Sequence, residues 1–162
     1  MTASTPETPA ATAARPDGGS LLVAADHAGV ELKRAVIDHL RQRGVDVRDL
    51  GPHDETSVDY PDYAHTLAGA LHQGEAGRGV LICGTGVGMA MSANRWPGVR
   101  AVNCSDVYTC KMARLHNDAN LLTLGARVVG LGLALELVDT FLDQPFEGGR
   151  HQRRVGKIDR AD

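Results

Sequence analysis

The stretch RGVLICGTGVGMAMSANR, residues 78–95, decides the fold of this chain. Its apolar run over 79–82 is too short for a helix and contains β-branched side chains, which predicts a buried strand that ends at Cys83. Glycine at every second position over 84–88 then predicts a tight turn, and residues 89–95 predict a helix. Because such a turn lets backbone N–H groups converge on an anion, we expect an active site here.

The same alternation of strand and helix runs through the rest of the chain. Apolar runs predict five strands, over 20–25, 45–50, 78–83, 99–104 and 120–124. Helical periodicity and end signals predict five helices, over 31–43, 61–73, 89–95, 106–115 and 131–142. This alternation favours parallel βαβ units with right-handed crossovers. We therefore expect a doubly wound α/β sandwich, with a five-stranded parallel sheet between two layers of helices.

Length and composition favour one domain in a reducing compartment. The chain has 162 residues and a net charge of -3, which gives no bulk attraction to nucleic acid or to an anionic membrane. Its three cysteines lack paired spacing, which favours a cytoplasmic setting. We find no pattern typical of a secretory signal and no apolar run of membrane-spanning length. We expect a cytoplasmic protein without nucleic-acid or membrane partners.

The two ends differ in composition from the folded domain, which we expect to span 20–146. Residues 1–19 are rich in Ala, Thr and Pro and lack an apolar run, which predicts a disordered tail. Residues 147–162 carry little apolar pattern and predict a basic arm or a short helix. Four basic side chains of this arm lie within eight residues, and they are Arg150, Arg153, Arg154 and Lys157. The alternative for this arm is a solvated tail, which is the usual meaning of a run of charge.

Polar residues follow four of the predicted strands. Because the carboxyl ends of parallel strands share one edge of a sheet, these residues should meet there. They are Asp26 and His27, Cys83 to Thr85, Ser105 and Asp106, and Gly125 to Arg127. His116 and Asn117 instead precede the fifth strand, which predicts a loop at the opposite edge. We expect an obligate dimer in which His116 serves the pocket of the neighbouring subunit.

Two of these residues have simpler alternatives. A free cysteine at the end of a buried strand, such as Cys83, is often a plain core residue. Facing several N–H donors at a helix start, however, a thiol can act as a base or nucleophile near neutral pH. Asp26 is either a site residue or the cap of the first helix, since Asp is common just before a helix.

Three familiar phosphate-binding loops do not fit the glycine turn. A phosphatase loop needs Arg six residues after its cysteine, and that position is Met89. The dinucleotide fingerprint needs G-x-G-x-x-G after the first strand, whereas this chain has G-x-G-x-G after the third. A Walker loop needs Gly-Lys-Ser or Gly-Lys-Thr at its end, and Gly88 is followed by Met and Ala.

A set of motifs in fixed order resembles the type B ribose-5-phosphate isomerase family. The motifs are Ala25-Asp-His-Ala-Gly29, Asp59-Tyr-Pro61, Ile82-Cys-Gly-Thr-Gly-Val-Gly88, Ala93-Asn-Arg95, His116-Asn-Asp-Ala-Asn120, Gly125-Ala-Arg-Val-Val-Gly130 and Gly148-Gly-Arg-His-Gln-Arg-Arg154. The resemblance spans about residues 21–155, which is nearly all of the expected folded chain. It implies a Rossmann-like three-layer α/β/α sandwich, a dimer or pair of dimers with a shared site, and neither a metal nor an organic cofactor.

The resemblance also implies a reaction, the interconversion of D-ribose 5-phosphate and D-ribulose 5-phosphate through a cis-enediolate. It gives Cys83 the role of the base that takes the proton from carbon 2, with Thr85 beside it. Other members use a glutamate just after the glycine turn, and that position is Met89 here. The amides of Gly84, Gly86 and Gly88 would hold the enediolate.

The remaining roles concern ring opening and phosphate binding. The resemblance makes His116 the acid and base that opens the furanose ring, with support from Asp26 and Asn117. It implies substrate binding by Tyr60, His27, Arg127, Arg150 and Arg154, of which the last four would clamp the phosphate. The planar guanidinium of Arg suits a phosphate dianion.

Other functions stay open on the sequence. Relatives act on other sugar phosphates, such as allose or galactose 6-phosphate and tetrose phosphates, and a sugar-phosphate-binding module without catalysis is the alternative of another class. Members that act on tetrose phosphates often lack one of two histidines. This chain has both of them, His27 and His116, which favours a substrate that must be opened from a ring.

Overall fold

The computed structural model describes residues 19–159, which form a five-stranded, fully parallel sheet between helices. The strands are β1 (Leu21–Ala25), β2 (Val47–Asp49), β3 (Gly79–Cys83), β4 (Ala101–Asn103) and β5 (Leu121–Gly125). Their order across the sheet is β2-β1-β3-β5-β4. The expected five-stranded α/β sandwich is confirmed. The proposed tail over 1–19 lies, except for Gly19, outside the described residues, as do the last three residues of the arm.

Six α-helices connect and follow the strands. They are α1 (Val30–Gln42), α2 (Tyr60–His72), α3 (Val87–Ala93), α4 (Val107–Asn117), α5 (Leu131–Asp143) and α6 (Arg150–Val155), and a 3-10 turn over His27–Gly29 precedes α1. None of the helices within 19–159 combines the length and the apolar character that a membrane span requires.

The strands separate two apolar cores because successive side chains point to opposite faces of the sheet. Leu21 and Val23 of β1 face a core that includes side chains of α1, α4 and α5. Leu22 and Ala24 face a second core with α2 and α3. Strands β1, β3 and β5 are buried along their whole length, which is why they appear in the sequence as continuous apolar runs.

Two predicted elements differ from the observed ones at the residues of interest. Helix α3 begins at Val87 rather than at 89, because Gly86 takes a left-handed conformation (φ 80°) and starts the helix directly after the turn. Helix α4 continues to Asn117, so His116 and Asn117 lie in its last turn and not in a loop. Asp118 ends this helix in the left-handed region (φ 46°), and its carboxylate accepts a hydrogen bond from Arg114.

A buried lysine ties α1 to β2 and to the loop beside β1. Lys33 is 1% exposed, and its Nζ donates to Asp49 Oδ1 at 2.5 Å and to the carbonyl of Pro52 at 2.7 Å. Burial pushes the pKa of Asp49 up, but hydrogen bonds from Lys33 and from Gly51 N–H outweigh it and hold the pKa below the usual value. The carboxylate therefore stabilises the fold above its unfolded-state pKa, and this contribution is lost as pH falls through the lower folded-state pKa.

We predict that Lys33→Met lowers the free energy of unfolding by about 3–5 kcal/mol, because Asp49 loses the partner that compensates its partial burial. Urea denaturation at neutral pH measures the loss. Arg48→Met is the matched control, since Arg48 pairs with Glu75 at the surface, where an ion pair contributes at most about 1 kcal/mol. Equal, small losses for both variants would contradict a structural role for the buried pair.

Candidate functional site

The glycine turn after β3 holds the sulfur of Cys83 in a defined place. Cys83 is 5% exposed, and Gly86 N–H donates to its Sγ at 3.0 Å. An N–H donor on the sulfur stabilises negative charge there. The hydroxyl oxygen of Thr85 accepts from Val87 N–H at 3.3 Å. Two of the amides in the turn are thus engaged inside it, so Gly86 N–H serves the thiol and not an incoming anion.

The glycines of this turn are required by close neighbours. A Cβ on Gly86 would lie 2.5 Å from Asn103 Oδ1 and 2.9 Å from the carbonyl carbon of Leu124, in addition to the left-handed backbone. A Cβ on Gly88 would lie 2.6 Å from the ring of Tyr60, so this tyrosine is packed against the turn. The turn therefore fits between β5, β4 and the start of α2 only with glycine at positions 86 and 88.

Arg127 lies at the same edge. Its N–H donates to the carbonyl of Gly84 at 3.0 Å, and its guanidinium Nη1 lies 3.4 Å from the position that a Cβ on Gly84 would take. The predicted neighbourhood of Cys83 and Arg127 is correct. Register explains it, because Cys83 pairs with Gly125 across β3 and β5.

Asp26 and His27 border the turn from the side of β1. Asp26 N–H donates to the carbonyl of Ile82 at 3.0 Å, and its carboxylate accepts from the N–H groups of Ala28 and Gly29. Asp26 is therefore the cap of the 3-10 turn that begins the first helical segment. Nδ1 of His27 lies 3.3 Å from the backbone N and O of Val58.

His116 and Asn117 lie at the other edge of the sheet, since α4 runs about 16 Å from the carboxyl end of β4 back to the amino end of β5. The imidazole of His116 is stacked on that of His151 of α6, with centroids 4.2 Å apart and planes at 7°. Oε2 of Glu147 lies 3.8 Å from His116 Nε2 and 3.5 Å from His151 Nε2. Burial lowers the pKa of His151, and His116, Arg150 and Arg154 lower it further against the attraction of Glu147.

The C-terminal arm is a helix that packs on α4. Arg150 and Arg154 are both exposed and lie four residues apart in α6, hence on one helical face. They share the edge of His116. The described part of the arm is thus a helix packed on α4 whose basic side chains are exposed to solvent.

Within one chain, the predicted site residues thus form two groups. The carboxyl-edge group contains Asp26, His27, Tyr60, Cys83, Gly84, Thr85, Gly86, Gly88 and Arg127. The arm group contains His116, Asn117, Arg150 and Arg154. Inside a single chain, Asp26 gives no support to His116, because its carboxylate caps a turn at the opposite edge.

The sequence patterns did not identify three residues that lie near these groups. Asn103 Nδ2 donates to the carbonyl of Thr85 at 3.3 Å and so fixes the glycine turn from β4. A polar residue at the end of a short strand is a signal that could have identified it. Glu147 and His151 carried no such signal, because only the packing of α6 on α4 brings them to His116.

Known proteins share this chain's sequence and fold. A model of the Ribose/Galactose Isomerase family matches residues 21–158. Ribose-5-phosphate isomerase B of Escherichia coli is 50% identical over 133 residues, which are 82% of this chain and 89% of the relative. D-erythrulose-4-phosphate isomerase of Pectobacterium atrosepticum is 44% identical over 141 residues, 86% of this chain and 92% of the relative.

A solved structure supports the same relationship. Ribose-5-phosphate isomerase B from Mycoplasma genitalium, with bound ribulose-5-phosphate, superimposes with a TM-score of 0.83 at 41% identity, over 87% of this chain and 94% of that one. The residues matched by the family model, 21–158, contain both groups of site residues. The chain therefore belongs to the Ribose/Galactose Isomerase family.

Proposed function

We propose that this chain is an enzyme that interconverts D-ribose 5-phosphate and D-ribulose 5-phosphate. The observation that carries the proposal is Cys83, held by Gly86 N–H at the end of β3 beside Arg127, in a chain whose family match spans 21–158. The site lies where ligands bind in open α/β sheets, outside the carboxyl ends of β1 and β3, at which the strand order changes direction.

The reaction moves a proton between carbons 1 and 2 of an opened sugar through a cis-enediolate. It needs a base, donors for the enediolate oxygens and an acid that opens the ring. No electrons leave the substrate, because the carbonyl and the alcohol exchange places within one molecule. The proposed mechanism therefore has no step for a redox cofactor.

The carboxyl-edge group supplies the proton transfer in this mechanism. The Cys83 thiolate takes the proton from carbon 2 and returns it to carbon 1, and its bond to Gly86 N–H keeps the sulfur in place between the two carbons. Thr85 and the amides of Gly84 and Gly88 face the enediolate. His27, Arg127 and Tyr60 surround the bound sugar phosphate.

We predict that Cys83→Ala lowers kcat on ribose 5-phosphate at least about 100-fold, the usual contribution of a general base, and that Cys83→Ser fails almost as badly. A serine hydroxyl has no accessible anion near neutral pH. Ketose formation from ribose 5-phosphate without added cofactor is the assay. Cys110→Ala is the matched control, since Cys110 is a buried free thiol whose Sγ donates to Leu137 O between α4 and α5.

A Cys83→Ala variant that folds and keeps more than about a tenth of kcat excludes the thiol as general base. Loss of turnover in Cys110→Ala as well would point to damage of the fold. Absence of ketose with the wild-type chain, together with binding of ribose 5-phosphate, would favour the sugar-phosphate-binding module.

We propose further that the arm group acts on the site of a second subunit in a homodimer, which can pair into a tetramer. His116, Asn117, Arg150 and Arg154 lie too far from Cys83 to act on the same substrate within one chain. Exposed apolar side chains at or near the starts of helices, which follow the carboxyl ends of the strands, support a partner there. These are Tyr60, Val87, Met91, Tyr108, Val128 and Leu131.

Subunit complementation tests this sharing. Cys83→Ala and His116→Asn chains each form inactive homodimers, but a heterodimer of the two keeps one site with both wild-type residues, so we predict about half the wild-type kcat per dimer. Co-expression with two affinity tags isolates the heterodimer. A heterodimer as inactive as its parents would place Cys83 and His116 of one chain in the same site.

The relative from Pectobacterium atrosepticum favours a second candidate substrate, a tetrose phosphate. A tetrose phosphate cannot close a furanose through its phosphorylated terminal oxygen and needs no ring opening. We predict that His116→Asn lowers kcat/KM much more for ribose 5-phosphate than for erythrulose 4-phosphate. Equal losses of kcat/KM on both substrates would indicate that His116 acts in proton transfer and not in ring opening. A higher kcat/KM of the wild-type chain for the tetrose phosphate would make the tetrose phosphate the favoured substrate.

We infer a cytoplasmic setting for this reaction. Cys83, Cys104 and Cys110 are all free thiols, which a reducing compartment preserves.

A further inference from the structure

Three potential metal ligands meet where the arm packs on α4. His116 comes from the last turn of α4, His151 from α6, and Glu147 from the segment between α5 and α6. One ligand atom from each lies within 4.8 Å of the other two. A hydrogen bond fixes the backbone of Glu147 beside the end of α4, because Glu147 N–H donates to the carbonyl of Leu115 at 3.0 Å.

The buried imidazole of His151 faces this cluster with an unused nitrogen. His151 is 6% exposed, and its Nε2 has no hydrogen-bond partner. Buried polar atoms without a partner are rare and costly, which makes this nitrogen an indication of a missing ligand. Its nearest acidic neighbour is Oε2 of Glu147, at 3.5 Å.

The distances from Oε2 of Glu147 to the two histidine nitrogens are closer to those between ligands of one metal ion than to hydrogen-bond lengths. Ligands 2.0–2.1 Å from a tetrahedral zinc ion lie about 3.4 Å from one another. Glu147 Oε2 is 3.5 Å from His151 Nε2 and 3.8 Å from His116 Nε2, whereas hydrogen bonds between nitrogen and oxygen are 2.7–3.2 Å long. An imidazole nitrogen binds a metal ion in the plane of its ring, so the nearly parallel rings of His116 and His151 must unstack before both nitrogens can meet one ion. The part-exposed His116 has room to turn.

We propose that His116, Glu147 and His151 bind a divalent transition-metal ion of the Zn²⁺ type, which inhibits the enzyme. Two imidazole nitrogens and one carboxylate oxygen are typical ligands of Zn²⁺, with water as the fourth. Mg²⁺ prefers an octahedral shell of oxygen ligands, which this cluster does not offer, so we expect a metal that binds imidazole to be favoured over Mg²⁺. The inhibition, unlike the binding, rests on the proposed function, since the ion holds the imidazole of His116, to which that function gives ring opening.

Calorimetric titration of the reduced, full-length chain with Zn²⁺ tests the binding. We expect one ion per chain, and an affinity at least about ten-fold weaker in Glu147→Gln and in His151→Gln. His53→Gln is the matched control, because His53 is an exposed histidine beside a carboxylate, Asp49, and should bind like the wild type. Co²⁺ should give the intense absorption of a tetrahedral complex in the wild type and lose it in both variants.

Unchanged Zn²⁺ affinity in Glu147→Gln, whose side chain is exposed enough to spare the fold, would overturn the site, as would a wild-type chain that binds no Zn²⁺. Inhibition is measured within each variant, as the ratio of ribose 5-phosphate turnover with and without Zn²⁺. We expect this ratio to approach one in both variants. Equal inhibition of wild type and variants would overturn the regulatory part and direct attention to the thiol of Cys83. A chain without any turnover would contradict the proposed function, while the calorimetric result would still decide the site.

Discussion

The pairing of β3 with β1 on one side and β5 on the other is the constraint on which the candidate site depends. Register places Ile82 beside Ala25, and Cys83 beside Gly125, so the polar turns after all three strands begin at the same level. The turns then contact one another through the backbone. The turns after β3 and β5 are so closely packed that a Cβ on Gly125 would lie 2.7 Å from the carbonyl oxygen of Thr85. The thiol of Cys83 is fixed because its strand and its turn are both enclosed.

Strand register brings the residues of the carboxyl edge together, whereas the length of α4 separates His116 from them. The proposed chemistry is therefore divided between the two edges of the sheet. An eleven-residue helix returns the chain across the full height of the sheet, and Asp118 ends it in a left-handed conformation. The guanidinium of Arg114 stabilises this helix end by donating hydrogen bonds to the carboxylate of Asp118 and to the carbonyl of Ala119. A second subunit is then the economical way to combine a base at one edge with a ring-opening acid at the other.

The contact between α6 and α4 makes the arm part of the fold. His151 is buried there against His116, and Glu147 is bonded to the end of α4, so the guanidinium groups of Arg150 and Arg154 point out from a fixed base. A basic run whose composition is typical of a solvated tail is therefore an ordered surface in the folded chain. The same packing creates the cluster of two imidazoles and a carboxylate to which we assign the proposed metal site.

By itself, the sequence determined the parallel α/β sandwich, the place of each strand and the grouping of Cys83 with Arg127. These depend on local signals, since apolar runs mark buried strands and glycines mark turns that exclude a Cβ. The predicted ends of a strand are less accurate where pairing with a neighbouring strand decides them. The sequence predicts β4 over 99–104, but the strand comprises only Ala101–Asn103, the residues that pair with β5 at the edge of the sheet. The tertiary structure alone decided that His116 ends a helix, that Asp26 is a cap, and that Asn103, Glu147 and His151 contact the site groups. The contacts of Asn103, Glu147 and His151 join segments far apart in the chain, and no local periodicity encodes such contacts. The Asp26 cap is local, since its carboxylate bonds Ala28 and Gly29, and there the structure decided between two alternatives that the sequence left open.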